Sequence, residues 1–333
     1  MIISKTPFRI SFFGGGTDYP EWFQENDGAV LSTTINKYCY ITCRYLPPFF
    51  EHSSRVVYSK IESVKDFDEI QHISIRECLK YMNIKKGVEI HHDGDIPARS
   101  GIGSSSSFTV GMLNALNALK GKIITKHELA QNAIFVEREL NKETVGYQDQ
   151  IAASFGGLNK IVFSKNGEFQ VNVLTLDLEK IKYFQDHLIL YFTGLSRFAS
   201  EIAHEQVKNI PNKKQELKTM RQMVDEAMNI LNSDSTDITE FGKLLNESWK
   251  LKRSLSNKIT NSDIDNIYAE AMRAGAIGGK LLGAGGGGFL LFFVRPENRK
   301  KLKEKMANFL QVPFKFENFG SQIVYYNPDK VEE

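Results

Sequence analysis

The run Pro97-Ala98-Arg99-Ser100-Gly101-Ile102-Gly103-Ser104-Ser105-Ser106-Ser107 limits the fold more than any other part of the chain. Ahead of it, Gly87-Val88-Glu89-Ile90-His91 alternates as a strand does. Behind it, Phe108 to Leu119 is apolar and rich in helix formers. The run therefore joins a strand end to the start of a buried helix. Two glycines let the backbone turn tightly and come close to a ligand. The serines supply hydroxyls, and a helix start presents N–H groups without intrahelical acceptors and a partial positive charge. Such a joint suits a phosphate chain. The plainer alternative is a capped, serine-rich turn with no ligand.

Composition narrows the surroundings of this joint. A chain of 333 residues with 41% apolar side chains can bury two joined cores. The 42 Lys and Arg nearly balance the 40 Asp and Glu, and no long basic stripe stands out, which argues against nucleic acid as a main partner. The longest apolar runs, such as Phe289 to Val294, are far too short to span a bilayer, so no membrane partner is expected. The start, Met1-Ile2-Ile3-Ser4-Lys5, reads as a strand rather than a signal peptide. Three cysteines, an odd number, argue for a reducing, cytoplasmic setting. Cys39 and Cys43 lie on one strand about 13 Å apart, too far to share a zinc ion, and read as core residues. His91-His92 with Asp93 and Asp95 reads as a strand-end turn rather than a metal cluster.

The pattern divides the chain into an N-terminal part, 1–180, and a C-terminal part, 181–333. The first reads as strands with a few helices: Ser4 to Phe13 ending in Gly14-Gly15-Gly16, one or two strands in Ala29 to Tyr45, and a helix over Ile73 to Met82. The capping box Thr125-Lys126-His127-Glu128 opens a helix to about Asn141. The second part starts with the strand His187 to Phe192 and continues with polar helices over Arg197 to Leu255. The order that follows, helix at Ile264 to Ala274, strand at Phe289 to Val294, helix at Asn298 to Leu310 and strand at Ser321 to Tyr326, predicts an α+β layer with helices on one face.

Four further features carry chemistry. The stretch Gly278 to Gly288 ends in four consecutive glycines before an apolar strand, a backbone-entropy cost that suggests close approach of another backbone or a ligand. Glu137 sits on the apolar face of its helix with Ala133 and Leu140. It needs a pair, a hydrogen bond or a cation there, and Mg²⁺ suits a lone carboxylate beside phosphate oxygens. Asp149, twelve residues on, is either a helix cap or a base facing a hydroxyl. Arg9 is a cation in an otherwise apolar strand and calls for a partner. Other nucleotide motifs fail: Gly275 to Lys280 is one residue short of a P-loop and lacks the following Ser or Thr, the protein-kinase set is absent, and the dinucleotide fingerprint after the first strand is incomplete.

Three motifs in order make nearly the whole chain resemble the GHMP kinases, the galactokinase, homoserine kinase, mevalonate kinase and phosphomevalonate kinase superfamily. They are Lys5-Thr6-Pro7-Phe8-Arg9-Ile10 leading to Gly14-Gly15-Gly16-Thr17-Asp18, Pro97 to Ser107, and Lys280 to Gly288. Ile102 and Ser106 replace the usual Leu and Ala of the second motif. The first motif is similar to that of sugar-1-kinases acting on heptose 7-phosphate. Galactokinases carry Glu-His or Asn-His where Gly15-Gly16 stands, which speaks against galactose.

The resemblance implies an α+β fold of two domains, a ribosomal-S5-domain-2-like N-terminal domain and a ferredoxin-like C-terminal domain, with the active site in the cleft between them. It implies ATP and Mg²⁺. Pro97, Ser100, Gly101, Ile102, Gly103, Ser104, Ser105, Ser106 and Ser107 would hold ATP, and Ser105 with Glu137 would bind Mg²⁺. Asp149 would deprotonate the anomeric hydroxyl, with Arg9 stabilising that oxygen. Gly15, Gly16, Thr17 and Asp18 would meet the sugar, and Gly285 and Gly286, in the loop Gly283 to Gly288, would close over it. Arg197 is the candidate anchor for a remote phosphate, ahead of Arg99 and Lys37. The expected partners are the phosphosugar and ATP, with a homodimer left open. The alternatives are the same chemistry on fucose or another phosphosugar, a non-catalytic sugar or nucleotide sensor, against which the presence of Asp149, Glu137 and Ser105 speaks, and a nicotinamide oxidoreductase.

Overall fold

The first strand, Ile2–Phe13, alternates between core and surface at its start and is buried throughout its second half. Its partner, Gly28–Tyr45, is one continuous 18-residue strand where the sequence allowed one or two. A computed structural model describes residues 1–98, 100–195 and 199–328 of the chain. Among the described residues nine strands form the first sheet, and the long strand is its hub. It pairs antiparallel with Ile2–Phe13 along most of its length, with Leu158–Phe163 at its beginning and with Val88–Gly94 at its end. The helix Ser104–Leu119 lies against these first two strands and is buried on nearly every side, as expected of a central helix with an apolar sequence.

The second sheet runs Leu310–Gln311, Leu188–Phe192, Phe289–Val294, Ala276–Leu281, all antiparallel. The helix Thr239–Ser254 packs on Ala276–Leu281. The final strand does not join this layer, contrary to the order read from the sequence. Phe316–Glu317 pairs with the long strand, and Gln322–Tyr326 pairs with Ile2–Lys5. That return covers the free edge of the first strand, whose N–H and C=O groups would otherwise be left to solvent or to another chain.

An aromatic seam joins the layers. Phe12 meets Phe241 and Phe184 at ring-centre distances of 5.5 and 5.6 Å, and Phe184 meets Phe241 at 4.7 Å and Phe316 at 5.7 Å. Each such pair adds about 0.5–1.5 kcal/mol beyond its buried area. The seam lies at the end of the strand that carries Arg9, so the packing that joins the layers also positions the site. No helix among the described residues is long and apolar enough to cross a membrane.

Candidate active site

Gly101 and Gly103 both take left-handed backbone angles, with φ of +83° and +74°. The helix ladder begins with the Ser107 N–H donating to the Gly103 carbonyl at 2.9 Å, so the turn ends at the positive end of a 16-residue helix. The serines diverge because successive helix residues point about 100° apart. Ser105 is exposed. The Ser106 hydroxyl donates to Glu137 Oε2 at 2.9 Å, and the Ser107 hydroxyl to the Pro7 carbonyl at 2.9 Å. The hydroxyl that meets Glu137 is therefore that of Ser106, not Ser105, and Ser107 is turned to the first strand with both its N–H and its hydroxyl engaged. Ser100 is buried and its Oγ has no partner. Ile102 is buried, its carbonyl accepting the Arg9 N–H at 3.0 Å. Pro97 is exposed.

Arg9 and Asp149, 140 residues apart, meet under this turn. Arg9 Nε donates to Asp149 Oδ1 and Nη2 to Oδ2, each at 2.7 Å, and Nη1 donates to the Gly101 carbonyl at 2.8 Å. A Cβ on Gly103 would stand 3.2 Å from Arg9 Cγ and 3.4 Å from Asp149 Oδ2. The forked pair is thus the floor on which the turn rests, and Asp149 is 23% exposed while Arg9 is nearly sealed. Forked geometry of this kind fixes a carboxylate's plane as well as its position.

Asp18 is buried beside them. Its Oδ1 accepts the Gly16 N–H at 2.9 Å and its Oδ2 the Gln148 N–H at 3.3 Å. Burial, helped by the neighbouring Asp149 charge, raises its pKa above the usual carboxylate value. Thr17 is turned away from this group: its hydroxyl lies within 3 Å of the Gly14 and Ala29 carbonyls inside the turn. Gly15 faces Gln148 Nε2, and a Cβ on Gly16 would strike Gln206.

The helix expected to run to Asn141 instead stops at Phe135 and continues as a π-helical turn, Val136–Leu140. The Asn141 N–H reaches back five residues to the Val136 carbonyl at 2.8 Å. Such turns re-aim side chains and collect at functional positions. This one aims a fully buried Glu137 at the helix start, where Oε2 accepts from Ser106 and from Gln150 Nε2. Oε1 is buried with no partner. Burial, with the Glu143 charge adding to it, pushes the Glu137 carboxyl up to about 8. The unpartnered buried oxygen fits a cation ligand, and a cation there would supply the counter-charge that lets the buried carboxyl ionise.

The third glycine loop closes the turn from the other side. A Cβ on Gly283 would stand 2.5 Å from Gly101 Cα, and one on Gly101 would stand 2.6 Å from the Leu282 carbonyl oxygen. The close approach expected of this cluster is therefore that of two backbones. Gly286 N–H donates to the Ile259 carbonyl and Gly288 N–H to the Leu195 carbonyl, both at 2.9 Å, and Gly285 packs against Ile259. Arg197 and Arg99 lie outside the described residues, and Lys37 is half-buried on the long strand.

Two lysines were not singled out as site residues by the sequence. Lys252 is buried, with Nζ donating to the carbonyls of Leu281 and Gly283, and Lys280 Nζ donates to the Phe12 carbonyl at 2.7 Å. A signal for Lys252 was present: it follows Leu245 and Trp249 at helical spacing on a buried stripe, the pattern that marked Glu137.

The GHMP kinases N terminal domain pattern matches residues 71–157 and the GHMP kinases C terminal pattern residues 226–312. The D-glycero-alpha-D-manno-heptose 7-phosphate kinase of Campylobacter jejuni is 30% identical over 312 residues, covering 90% of this chain and 91% of that protein. The L-fucokinase/L-fucose-1-P guanylyltransferase of Bacteroides fragilis is 26% identical over 92% of this chain but 36% of its own length. Among solved structures, a D-glycero-D-manno-heptose 1-phosphate kinase from Bacteroides thetaiotaomicron superposes with a TM-score of 0.81 at 24% identity, covering 98% of this chain and 99% of that one, a likeness of fold.

Proposed function

This chain belongs to the GHMP kinases, and from that premise we propose that it transfers the γ-phosphoryl group of ATP to the anomeric hydroxyl of D-glycero-D-manno-heptose 7-phosphate, giving the 1,7-bisphosphate. The observation that carries the chemistry is the Arg9–Asp149 fork seated under the Gly101–Gly103 turn. The substrate rests on the Campylobacter jejuni relative, alike over nine-tenths of both chains.

In this reading the helix start and the Gly101–Gly103 backbone take the ATP phosphates. Asp149 accepts the proton of the attacking hydroxyl. Arg9 keeps the carboxylate in plane and lends positive charge to the oxygen as it forms its bond to phosphorus, while ADP leaves on the opposite side. Positioning and charge stabilisation of this kind account for most of enzymatic phosphoryl transfer. Asp18 and the Gly15–Gly16 backbone take sugar hydroxyls. Glu137 Oε1 and Ser105 would hold Mg²⁺, with Ser106 orienting the carboxylate. When bound, Mg²⁺ neutralises charge on the phosphate oxygens. The two domains divide near residue 180, with the last strands returning to the first. The acting protein is a cytoplasmic enzyme in this reading.

A panel of heptose phosphates, fucose and other sugars with ATP and Mg²⁺, read by coupled ADP release, tests the acceptor. Phosphorus NMR of the product then locates the new phosphate. Turnover confined to heptose 7-phosphate with a new anomeric phosphate supports the reading. Turnover of fucose alone would move the assignment to the activity named for the Bacteroides fragilis relative, which is the second reading.

A further inference from the structure

The reacting end of the cleft holds more positive charge than the proposed chemistry uses. Three buried cations, Arg9 from the first strand, Lys252 from the helix Thr239–Ser254 and Lys280 from the strand Ala276–Leu281, face two carboxylates, Asp18 and Asp149. Asp149 is already taken by Arg9, and Asp18 by two backbone N–H groups. Among the described residues Lys252 and Lys280 make no carboxylate pair within 4 Å; their ammonium groups donate to carbonyl oxygens. A buried, unpaired ammonium is costly. Burial first, and then repulsion from Arg9, pull Lys252 down to about 8 against the opposing pull of Asp18 and Asp149. Lys280 is held well below its ordinary value by burial, Lys252 and Arg9.

We propose that Lys252 is an anion-binding residue of the transfer site, which meets a phosphoryl group once substrates enter. Its place supports this. The ammonium lies where the third glycine loop turns at Gly283, the residue that packs on Gly101, and it feels the charges of Arg9, Asp18 and Asp149. Arrival of a phosphate gives the ammonium the counter-charge that the protein withholds. The phosphate is either the γ-phosphoryl group of ATP or the acceptor's own phosphate. The proposal rests on reading this cleft as the transfer site.

Proton linkage tests it without turnover. A phosphate beside Lys252 raises its pKa, so binding takes up a proton above pH 8, where the free protein holds Lys252 mostly neutral. The second ionisation of a phosphate monoester, near about 6, is complete there. Any proton that Glu137 gives up on meeting Mg²⁺ is common to wild type and the Lys252 variants, so uptake is read as the difference between them. Calorimetric titration at pH 8.5, in buffers of different ionisation enthalpy, measures the uptake. One arm uses a non-hydrolysable ATP analogue with Mg²⁺, and the other uses heptose 7-phosphate.

Wild-type protein should take up protons in one arm, and its affinity should fall about tenfold per pH unit well above 8. Lys252→Met should bind that ligand at least about tenfold more weakly at pH 7 and show no uptake. Lys252→Arg, charged at every pH used, should bind with no uptake, and it keeps the test open if the Met variant fails to fold. Uptake with the ATP analogue alone assigns Lys252 to the donor, and uptake with the phosphosugar alone to the acceptor. Absence of uptake in both wild-type arms overturns the proposal. So does uptake that persists in either Lys252 variant and disappears in Lys280→Met. A phosphosugar that fails to bind, beside an ATP analogue that binds with uptake, defeats the acceptor assignment and leaves Lys252 standing.

Discussion

Arg9 holds both carboxylate oxygens of Asp149 at 2.7 Å while its remaining nitrogen holds the Gly101 carbonyl at 2.8 Å. One guanidinium therefore sets the Asp149 carboxylate and the Gly101–Gly103 turn relative to each other. Asp149→Asn should lower turnover about 10²- to 10⁴-fold, the usual worth of a positioned base, with nucleotide affinity kept. Coupled ADP release and calorimetry read the two quantities. Arg9→Lys keeps the charge but loses the fork. It should cost about 100-fold in kcat through misplacement of the base.

Glu137 makes stability depend on pH. Its folded-state value of about 8 lies above the ordinary 4.5. Its contribution to stability is therefore fully present below pH 4.5 and is lost as pH rises through 8. Metal-free protein should lose Tm as pH rises from about 4.5 to 8 and level off above that, and Glu137→Gln should flatten this loss while raising the Mg²⁺ concentration needed for half-maximal rate. Thermal scans across pH check the first part, and a Mg²⁺ titration of activity checks the second. An unchanged pH slope in the variant would show that Glu137 is not the group responsible.

Ser106 carries a hydroxyl where the family pattern has a methyl, and it donates to Glu137 Oε2. Ser106→Ala removes one of the hydrogen bonds that orient the carboxyl and leaves that from Gln150 in place. Loss of an orienting hydrogen bond of this kind costs about 10- to 100-fold in metal affinity. The Mg²⁺ concentration for half-maximal rate should rise accordingly, with KM for the sugar unchanged.

Gly283→Ala places a Cβ against Gly101 at a left-handed backbone position. It should lower Tm and raise KM for ATP, because the two loops must part. Gly167→Ala isolates the backbone cost: its φ is +86° but no atom lies within 4 Å of the added Cβ. That control should cost about 1–2 kcal/mol and leave KM for ATP as it was.

The residues that announced themselves in the sequence were charges in apolar patterns and glycines before or after strands. Arg9, Glu137 and the Gly101–Gly103 turn were legible on those grounds. Residues whose role depends on where a partner arrives were not. Thr17 looks like part of a substrate loop, yet its hydroxyl closes its own turn. Ser105 and Ser106 are indistinguishable in a run of four serines, and helix rotation alone separates the exposed one from the one on Glu137. The π-helical turn at Val136–Leu140 has no marker, because the helical spacing of the segment before it runs on through Leu140. The last strand was misplaced for a related reason: its length and composition suit either sheet, and the open edge at Ile2–Lys5 decides.

That late return of the chain also bears on how the protein is made. Thr34, the register partner of Arg9, pairs on its other side with Glu317, and its hydroxyl donates to the Glu317 carbonyl at 2.6 Å. The sheet that seats Arg9 thus stays unfinished on a ribosome until some 280 further residues have emerged. In the interim the segment Ile2–Lys5, which Gln322–Tyr326 later covers, offers a bare edge to any neighbouring chain. Cotranslational capture of that edge, rather than the chemistry of the cleft, sets the hazard that a chaperone would have to meet.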